Sequence, residues 1–188
     1  AESGAARRVE WRALAALAPI AEGWRALARR ALEANVVYEP AFALSAASVF
    51  GSNAGAGLVW SHAHRLIGFF PGRIERRYVL PLPVLTGWTH PYGPLGTPLV
   101  DRDDPEAAIG AWLDHAADDR EFPALMVLPL VPETGPFATA LASALARRGL
   151  PAARFGRHRR ALLAPGADRT GYIERAIGVK KRKELRRQ

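Results

Sequence analysis

The chain reads as an α/β (α+β) protein in which a mixed sheet is flanked by helices in three layers. Three observations carry that expectation. Apolar positions recur at helical spacing over 19–34 and 134–148. Short segments rich in β-branched and aromatic residues, separated by turn residues, fill 58–82. An almost unbroken apolar run, Ala124 to Val131, has the character of a strand covered on both faces. The 188 residues suit one domain or one and a fraction, and a hydrophobic share of 49% supports a substantial core.

In chain order, Val9 to Trp11 is expected to open a strand. A helix is predicted from Pro19 to Ala34, with Ile20, Trp24, Leu27 and Ala31 on one stripe and Pro19 suited to a first helical position. Asn35 to Pro40 leaves that helix in an extended turn, because the residue before a proline avoids the α region. A short helix over Ala41 to Phe50 stops at Gly51. Beyond a flexible glycine-rich connector from Gly51 to Gly57, Leu58-Val59-Trp60 and Leu66 to Phe70 read as a hairpin. Pro71-Gly72 then separates it from a third strand, Ile74 to Leu82, with Pro81 and Pro83 ending the meander. Asp104-Pro105-Glu106 supplies a cap, a first-turn proline and a first-turn acid for a helix to about Ala117 that buries Ala108, Ile109 and Trp112. Thr134 to Arg148 is the next helix, with Gly149 as its stop. Arg159 to Ala164 is expected as a last strand, and Tyr172 to Gln188 is helical in pattern.

The stretch Trp88 to Asp101 fits none of these patterns. It packs three prolines, two glycines, Trp88, His90 and Tyr92 into fourteen residues. That composition suits neither a helix nor a central strand. It is too apolar to be disordered, and so reads as a packed surface loop beside a site.

The formal charge of +8 suggests nucleic acid, but its distribution argues otherwise. Lys180, Lys181, Arg182, Lys183, Arg186 and Arg187 hold six positive charges in the tail against one negative from Glu184, so the remainder carries about +3. The tail lacks interleaved aromatics for stacking, and a solvated amphipathic helix is the simpler reading. Lysine is confined to the tail while Ala and Arg abound, a bias suggestive of a GC-rich bacterial gene. The absence of cysteine excludes disulfides, thiolate metal sites and thiol nucleophiles, and fits a cytoplasmic setting. No apolar run is long enough to span a bilayer, and no signal peptide is expected, because residues 1–20 lack a basic region followed by an apolar stretch.

Five histidines are candidates for chemistry. His62 and His64 would share one face of a strand end, but no third metal ligand accompanies them. His115 lies on the polar side of its helix, and His158 sits among arginines. The pairs Asp103/Asp104 and Asp118/Asp119 fall at helix boundaries, where capping explains them. No nucleophile elbow, phosphate-binding loop or dinucleotide fingerprint is present, and no catalytic base is identifiable. His90 and Tyr92 are the best polar candidates, with Trp88 able to wall a cleft beside them.

Several segments together resemble the N-terminal part of CelD-type acetyltransferases, a bacterial group of the GNAT superfamily related to FemAB-like aminoacyltransferases. These are Trp24-Arg25-Ala26-Leu27, Asn35 to Pro40 with Phe42, Arg65 to Pro71, and His90-Pro91-Tyr92-Gly93 through Pro98-Leu99-Val100-Asp101. The basic run Lys180 to Arg187 is similar to the helix that opens the second half in that family. The resemblance implies a GNAT-like, mostly antiparallel sheet over 1–170. Residues 171–188 would then lead into a second GNAT-like domain beyond this chain. It implies an acyl-CoA-dependent N-acyltransferase whose acetyl-CoA is held elsewhere, with no cofactor bound by these residues. Arg65-x-x-Gly68 departs from the family's acyl-CoA loop, since Phe70 fills its last position and Pro71-Gly72 with a strand follows, where a helix is required. The substrate would be an amine of a small molecule, sugar or envelope precursor, with Tyr38, Phe42, Trp88, His90 and Tyr92 as the cleft candidates. Two rival readings are a nucleic-acid or anionic-surface binder acting through the tail, and a non-catalytic interaction domain that would reveal itself as a homodimer.

Overall fold

A computed structural model describes residues 7–77, 82–160, 171, 175 and 177–187. These fall into two compact units, Ala1–Ala152 and Ala153–Gln188. The first holds β1 (Arg8–Ala13), α1 (Ala21–Arg29), α2 (Pro40–Phe50), β2 (Gly55–Trp60), β3 (Leu66–Arg77), β4 (Leu82–Gly87), β5 (Leu99–Val100), α3 (Pro105–Asp118), β6 (Met126–Val127) and α4 (Pro136–Arg147). The second, taken by itself, carries α5 (Val179–Leu185), none of whose residues is buried.

The sheet runs β1-β2-β3-β4-β6, with β5 pairing β3. All neighbours are antiparallel except β4 and β6, which are parallel. Neighbouring residues on a strand point to opposite faces, and the two cores follow from that alternation. Leu58, Phe69 and Leu99 join Trp24, Leu27, Ala43 and Ala47 under α1 and α2. Their sequence neighbours Val59, Phe70 and Val100 join Ile109, Trp112, Phe137 and Ala144 under α3 and α4. The mixed, mostly antiparallel sheet between two helical layers is therefore as expected.

Several elements differ from the sequence-based expectation. The predicted helix over 19–34 is a single 3-10 turn, Ala18–Ile20, followed by α1 ending at Arg29. Tertiary hydrogen bonds overrule the apolar spacing there: the Leu32 N–H donates to Val100 at 2.7 Å, and Ala31 bridges Asp101. The Arg102 guanidinium caps the freed end of α1, donating to the Arg30 and Arg29 carbonyls at 3.0 and 3.1 Å. Pro71-Gly72 does not punctuate two strands but lies within β3. Proline is tolerated because the outer edge of β3 changes partner there, pairing β5 at Gly68 and Phe69 and β4 from Gly72 onward. The third strand expected over 74–82 is divided between β3 and β4, with residues 78–81 outside the described set. Pro83 lies inside β4 opposite Arg76, a position where β6 does not pair.

The apolar run 124–131 yields only the two-residue β6. Pro129 cannot donate to a ladder, and Leu130 adopts φ +57°, a left-handed conformation that bends the chain away from β4. Leu99–Val100 forms a short strand at the end of the loop read as irregular. Arg159 and Arg160, at the start of the expected final strand, have no regular structure, and 161–164 lie outside the described residues, as does most of 172–176.

The start of α3 is as anticipated, with the Asp104 side chain accepting from the Ala107 N–H. Gly149 follows α4 at φ +62°, the left-handed stop that glycine supplies without a Cβ clash. Gly57 serves packing. Trp112 lies so close to the strand that a Cβ at this position would sit 2.3 Å from its ring. That indole is sandwiched by Trp11 and Phe70 at centroid separations of 5.9 and 5.5 Å, with Phe122 edge-on. Gly57→Ala should therefore destabilise the chain by about 1–3 kcal/mol through overpacking, read as a lowered urea midpoint. An unchanged midpoint would show that the aromatic stack shifts freely.

Candidate functional site

The loop after β4 and the segment between α1 and α2 build one aromatic wall. Its foundation is buried. Tyr38 and Trp88 are fully enclosed and stack at 6.4 Å with their rings 17° apart. The Tyr38 hydroxyl donates to the Trp88 carbonyl, and the Trp88 indole N–H donates to the Phe50 carbonyl at 3.1 Å. Trp24 donates in turn to the Tyr38 carbonyl at 2.8 Å. Burial pushes the Tyr38 hydroxyl well above its ordinary pKa, so it remains a neutral donor.

On this foundation sits His90, only 9% exposed. Its ring stacks on Phe50 at 5.0 Å and 3° and on Phe42 at 5.9 Å and 22°, and is tilted against Trp88 at 5.1 Å. Neither ring nitrogen has a hydrogen-bond partner among the described residues. Desolvation lowers its pKa, which keeps the imidazole neutral. Gly93 closes the turn by donating its N–H to the His90 carbonyl at 2.9 Å. A Cβ at that glycine would fall 2.5 Å from His90 Nε2 and 2.7 Å from Val37 Cγ1. Tyr92 stands 75% exposed beside Phe50, at 5.9 Å.

All five predicted cleft residues thus meet in one place, in two tiers. Tyr38 and Trp88 are structural and cannot touch a ligand, while Phe42, His90 and Tyr92 form the outer tier. Phe50 and Asn35 were not singled out from the sequence. Phe50 reads there as a helix end. Asn35 reads as the end of a helix or a turn, yet it is 2% exposed and its amide donates to the Leu95 and Thr97 carbonyls at 3.3 and 2.8 Å. Its Oδ1 accepts from the Val37 N–H at 3.0 Å.

The far end of the loop is fastened by charge. Asp101, 1% exposed, accepts from Arg30 Nε at 2.6 Å and lies 3.4 Å from Arg65. Between the two anchors the loop crosses the sheet where β4 and β6 part. These strands pair only at Leu85 with Met126 and at Thr86 with Val127. Beyond that point the Gly96 N–H donates to the Leu130 carbonyl at 3.2 Å, and a Cβ on Gly96 would meet the Pro129 oxygen at 1.9 Å. The apolar cavity remaining beside it, lined by Phe70, Leu85, Trp112 and Met126, has about 10 Å³ of room, no more than a water requires.

The other candidates take structural places. His62 and His64 lie in the exposed turn between β2 and β3, and no group of three or more metal-ligating side chains exists among the described residues. His115 is half-buried against Trp112 and Phe122, where a solvated position was expected. His158 accepts from Arg160 Nε at 3.1 Å. Asp104 caps α3 by accepting from the Ala107 N–H, whereas Asp119, past the C-terminal end of α3, accepts from the Glu121 N–H in a turn and caps no helix. The site thus offers an apolar, aromatic surface with one neutral imidazole at its centre, and no nucleophile–base pair accompanies it among the described residues.

No protein-family model matches the chain, and no curated protein is significantly similar to it. Among solved structures it is similar to a ribosomal-protein-alanine N-acetyltransferase from Brucella melitensis biovar Abortus 2308, at 17% identity and TM-score 0.47, covering 84% of this chain and 100% of that one. It is also similar to a probable acetyltransferase at 12% identity and TM-score 0.49, covering 85% of this chain and 99% of that one. Likenesses of this depth carry no argument about chemistry.

Removing the Asn35 amide would leave the Leu95 and Thr97 carbonyls and the Val37 N–H without partners. Asn35→Ala is expected to cost about 2–4 kcal/mol on that account. Asn35→Asp should cost at least as much, because a carboxylate would face two carbonyl oxygens. Urea denaturation of both variants checks this, and an Asp variant of near wild-type stability would refute the donor role.

Proposed function

We propose that this chain is the substrate-side, GNAT-like half of an acyl-CoA-dependent N-acyltransferase. The observation that carries the reading is the self-filled opening between β4 and β6. Residues 95–97 occupy the place where the sheet divides, and the neighbouring α3 has its N-terminus capped by Asp104, which pairs with Arg7 at 2.7 Å. A helix start already neutralised by its own carboxylate is a poor anion site. Both features support a division of labour in which acetyl-CoA is taken up by a second GNAT-like domain following α5. The resemblance to CelD-type and FemAB-like enzymes supports the same arrangement.

In this reading the amine of a small molecule, sugar or envelope precursor lies against Phe42, His90 and Tyr92. Tyr38 and Trp88 hold those three in place. The amine nitrogen attacks the thioester carbonyl, the thiolate of CoA departs, and a general base takes the amine proton. That base belongs to the second domain. The aromatic wall contributes position and exclusion of water, which is how a surface that supplies no general base assists a bimolecular transfer. The setting is cytoplasmic, where acetyl-CoA is made. No helix among the described residues is long and apolar enough to cross a membrane.

Two measurements test this. Calorimetric titration of the 188-residue chain with acetyl-CoA should release no binding heat, and clear saturable binding would overturn the division of labour. In the longer parent protein, Phe42→Ala and Tyr92→Ala should raise KM for the amine by about 5–30-fold, a loss of roughly 1–2 kcal/mol, while KM for acetyl-CoA stays constant. An equal effect on both substrates would remove the wall from the acceptor site.

A further inference from the structure

We infer that His90 is a proton-operated latch for the loop: its neutral imidazole, packed between Phe42, Phe50 and Trp88, seats the tip Pro91–Thr97, and uptake of a proton releases it. The ring is nine-tenths buried, and both its nitrogens lack partners. Nε2 is covered by the backbone of Gly93, whose tight turn leaves no space even for a Cβ. A neutral imidazole tolerates this packing because its faces are apolar. An imidazolium brings a charge and a second N–H donor into the same space, and buried charges require a partner.

Among the described residues no partner is positioned to receive it. α2 contributes Phe42 and Phe50 and contains no titratable residue. Val36–Tyr38 contributes Val37 and the Tyr38 hydroxyl, which is committed to the Trp88 carbonyl. Glu39, at the start of α2, is exposed. The loop itself adds the exposed Tyr92 hydroxyl, and its one carboxylate, Asp101, is held by Arg30 and Arg65 at the opposite end. Attraction between an imidazolium and the faces of Phe50 and Trp88 works against release. It supplies no acceptor for two enclosed N–H groups, so desolvation dominates, in keeping with the lowered pKa.

The direction with pH follows from that lowering. Once released, the ring titrates near the ordinary histidine value, about 6.5, whereas the seated ring titrates below it. Seating is therefore fully favoured above the released value and is lost as pH falls through the depressed one. The tip carries the Gly96 amide that fills the sheet opening, so acidification would loosen the wall and unplug the opening together.

Two amides report on the latch, Gly93 donating to His90 and Gly96 donating to Leu130. Their hydrogen exchange is to be followed by NMR on the intact chain at about pH 7.5 and about pH 5, corrected for intrinsic exchange. Acidification should speed both several-fold, with a ceiling of about 30-fold set by a released ring of ordinary pKa and a seated ring that takes no proton. His90→Phe keeps the stacking and removes the proton, so its exchange should be flat with pH, and His90→Gln provides a second non-titrating variant should the first fail to fold. His64→Phe, at an exposed turn, should behave as wild type. The latch is overturned by wild-type exchange constant within about twofold, by greater protection at low pH, or by acid opening that persists without His90.

Discussion

A loop that joins a ladder only at its far end must find donors for its other carbonyls elsewhere, and much of this structure is arranged to supply them. Trp88 to Asp101 runs through the protein with Trp88, Thr97, Leu99, Val100 and Asp101 almost wholly buried. Enclosed carbonyl groups left unpaired would each cost on the order of 1–3 kcal/mol. The segment between α1 and α2 prevents that loss. The Asn35 amide takes the carbonyls of Leu95 and Thr97, and the Tyr38 hydroxyl takes that of Trp88. Two side chains three positions apart thereby hold one wall of the candidate site.

The same segment explains why α1 is short. Had the helix continued to residue 34, Leu32 could not have bonded Val100, and Arg30 could not have turned toward Asp101. Ending the helix leaves carbonyls exposed, and Arg102 covers them from the far end of the loop. Glu33, freed from the helix, reaches across to accept from the Phe137 N–H at 2.9 Å at the start of α4. One helix end therefore fastens the loop and caps a helix of the other layer. These reciprocal ties account for an aromatic surface that is rigid beneath and open above.

Much of the fold was legible because it depends on short-range rules. Asp104-Pro105-Glu106 starts a helix by local hydrogen bonding and φ preference, and Gly149 stops one through its left-handed backbone. α2 emerges close to its expected limits, whereas β2 begins at Gly55, inside the expected connector, and β3 runs seven residues beyond the expected Phe70. The candidate residues Tyr38, Phe42, Trp88, His90 and Tyr92 do cluster, because bulky rings beside proline and glycine pack against one another. Their division into a buried and an exposed tier was not legible. Tyr38 and Tyr92 are the same residue type, and only the neighbours of each decide that one is enclosed and the other 75% exposed.

Elsewhere local signals pointed the wrong way for identifiable reasons. Pro71 looks like a strand terminator until β3 is seen to exchange β5 for β4 along one edge at that point. The run Ala124 to Val131 looks like a buried strand, yet Leu130 turns left-handed where the Gly96 amide meets its carbonyl. By itself, the sequence determined the cap of α3 and the stop of α4, the alternation that yields two cores, and the aromatic character of the loop, because these are set by residues a few positions apart. The tertiary structure alone decided where α1 ends, how the sheet opening is filled and which rings are exposed. Those outcomes depend on hydrogen bonds and packing between residues distant in the chain, and local spacing carries no record of them.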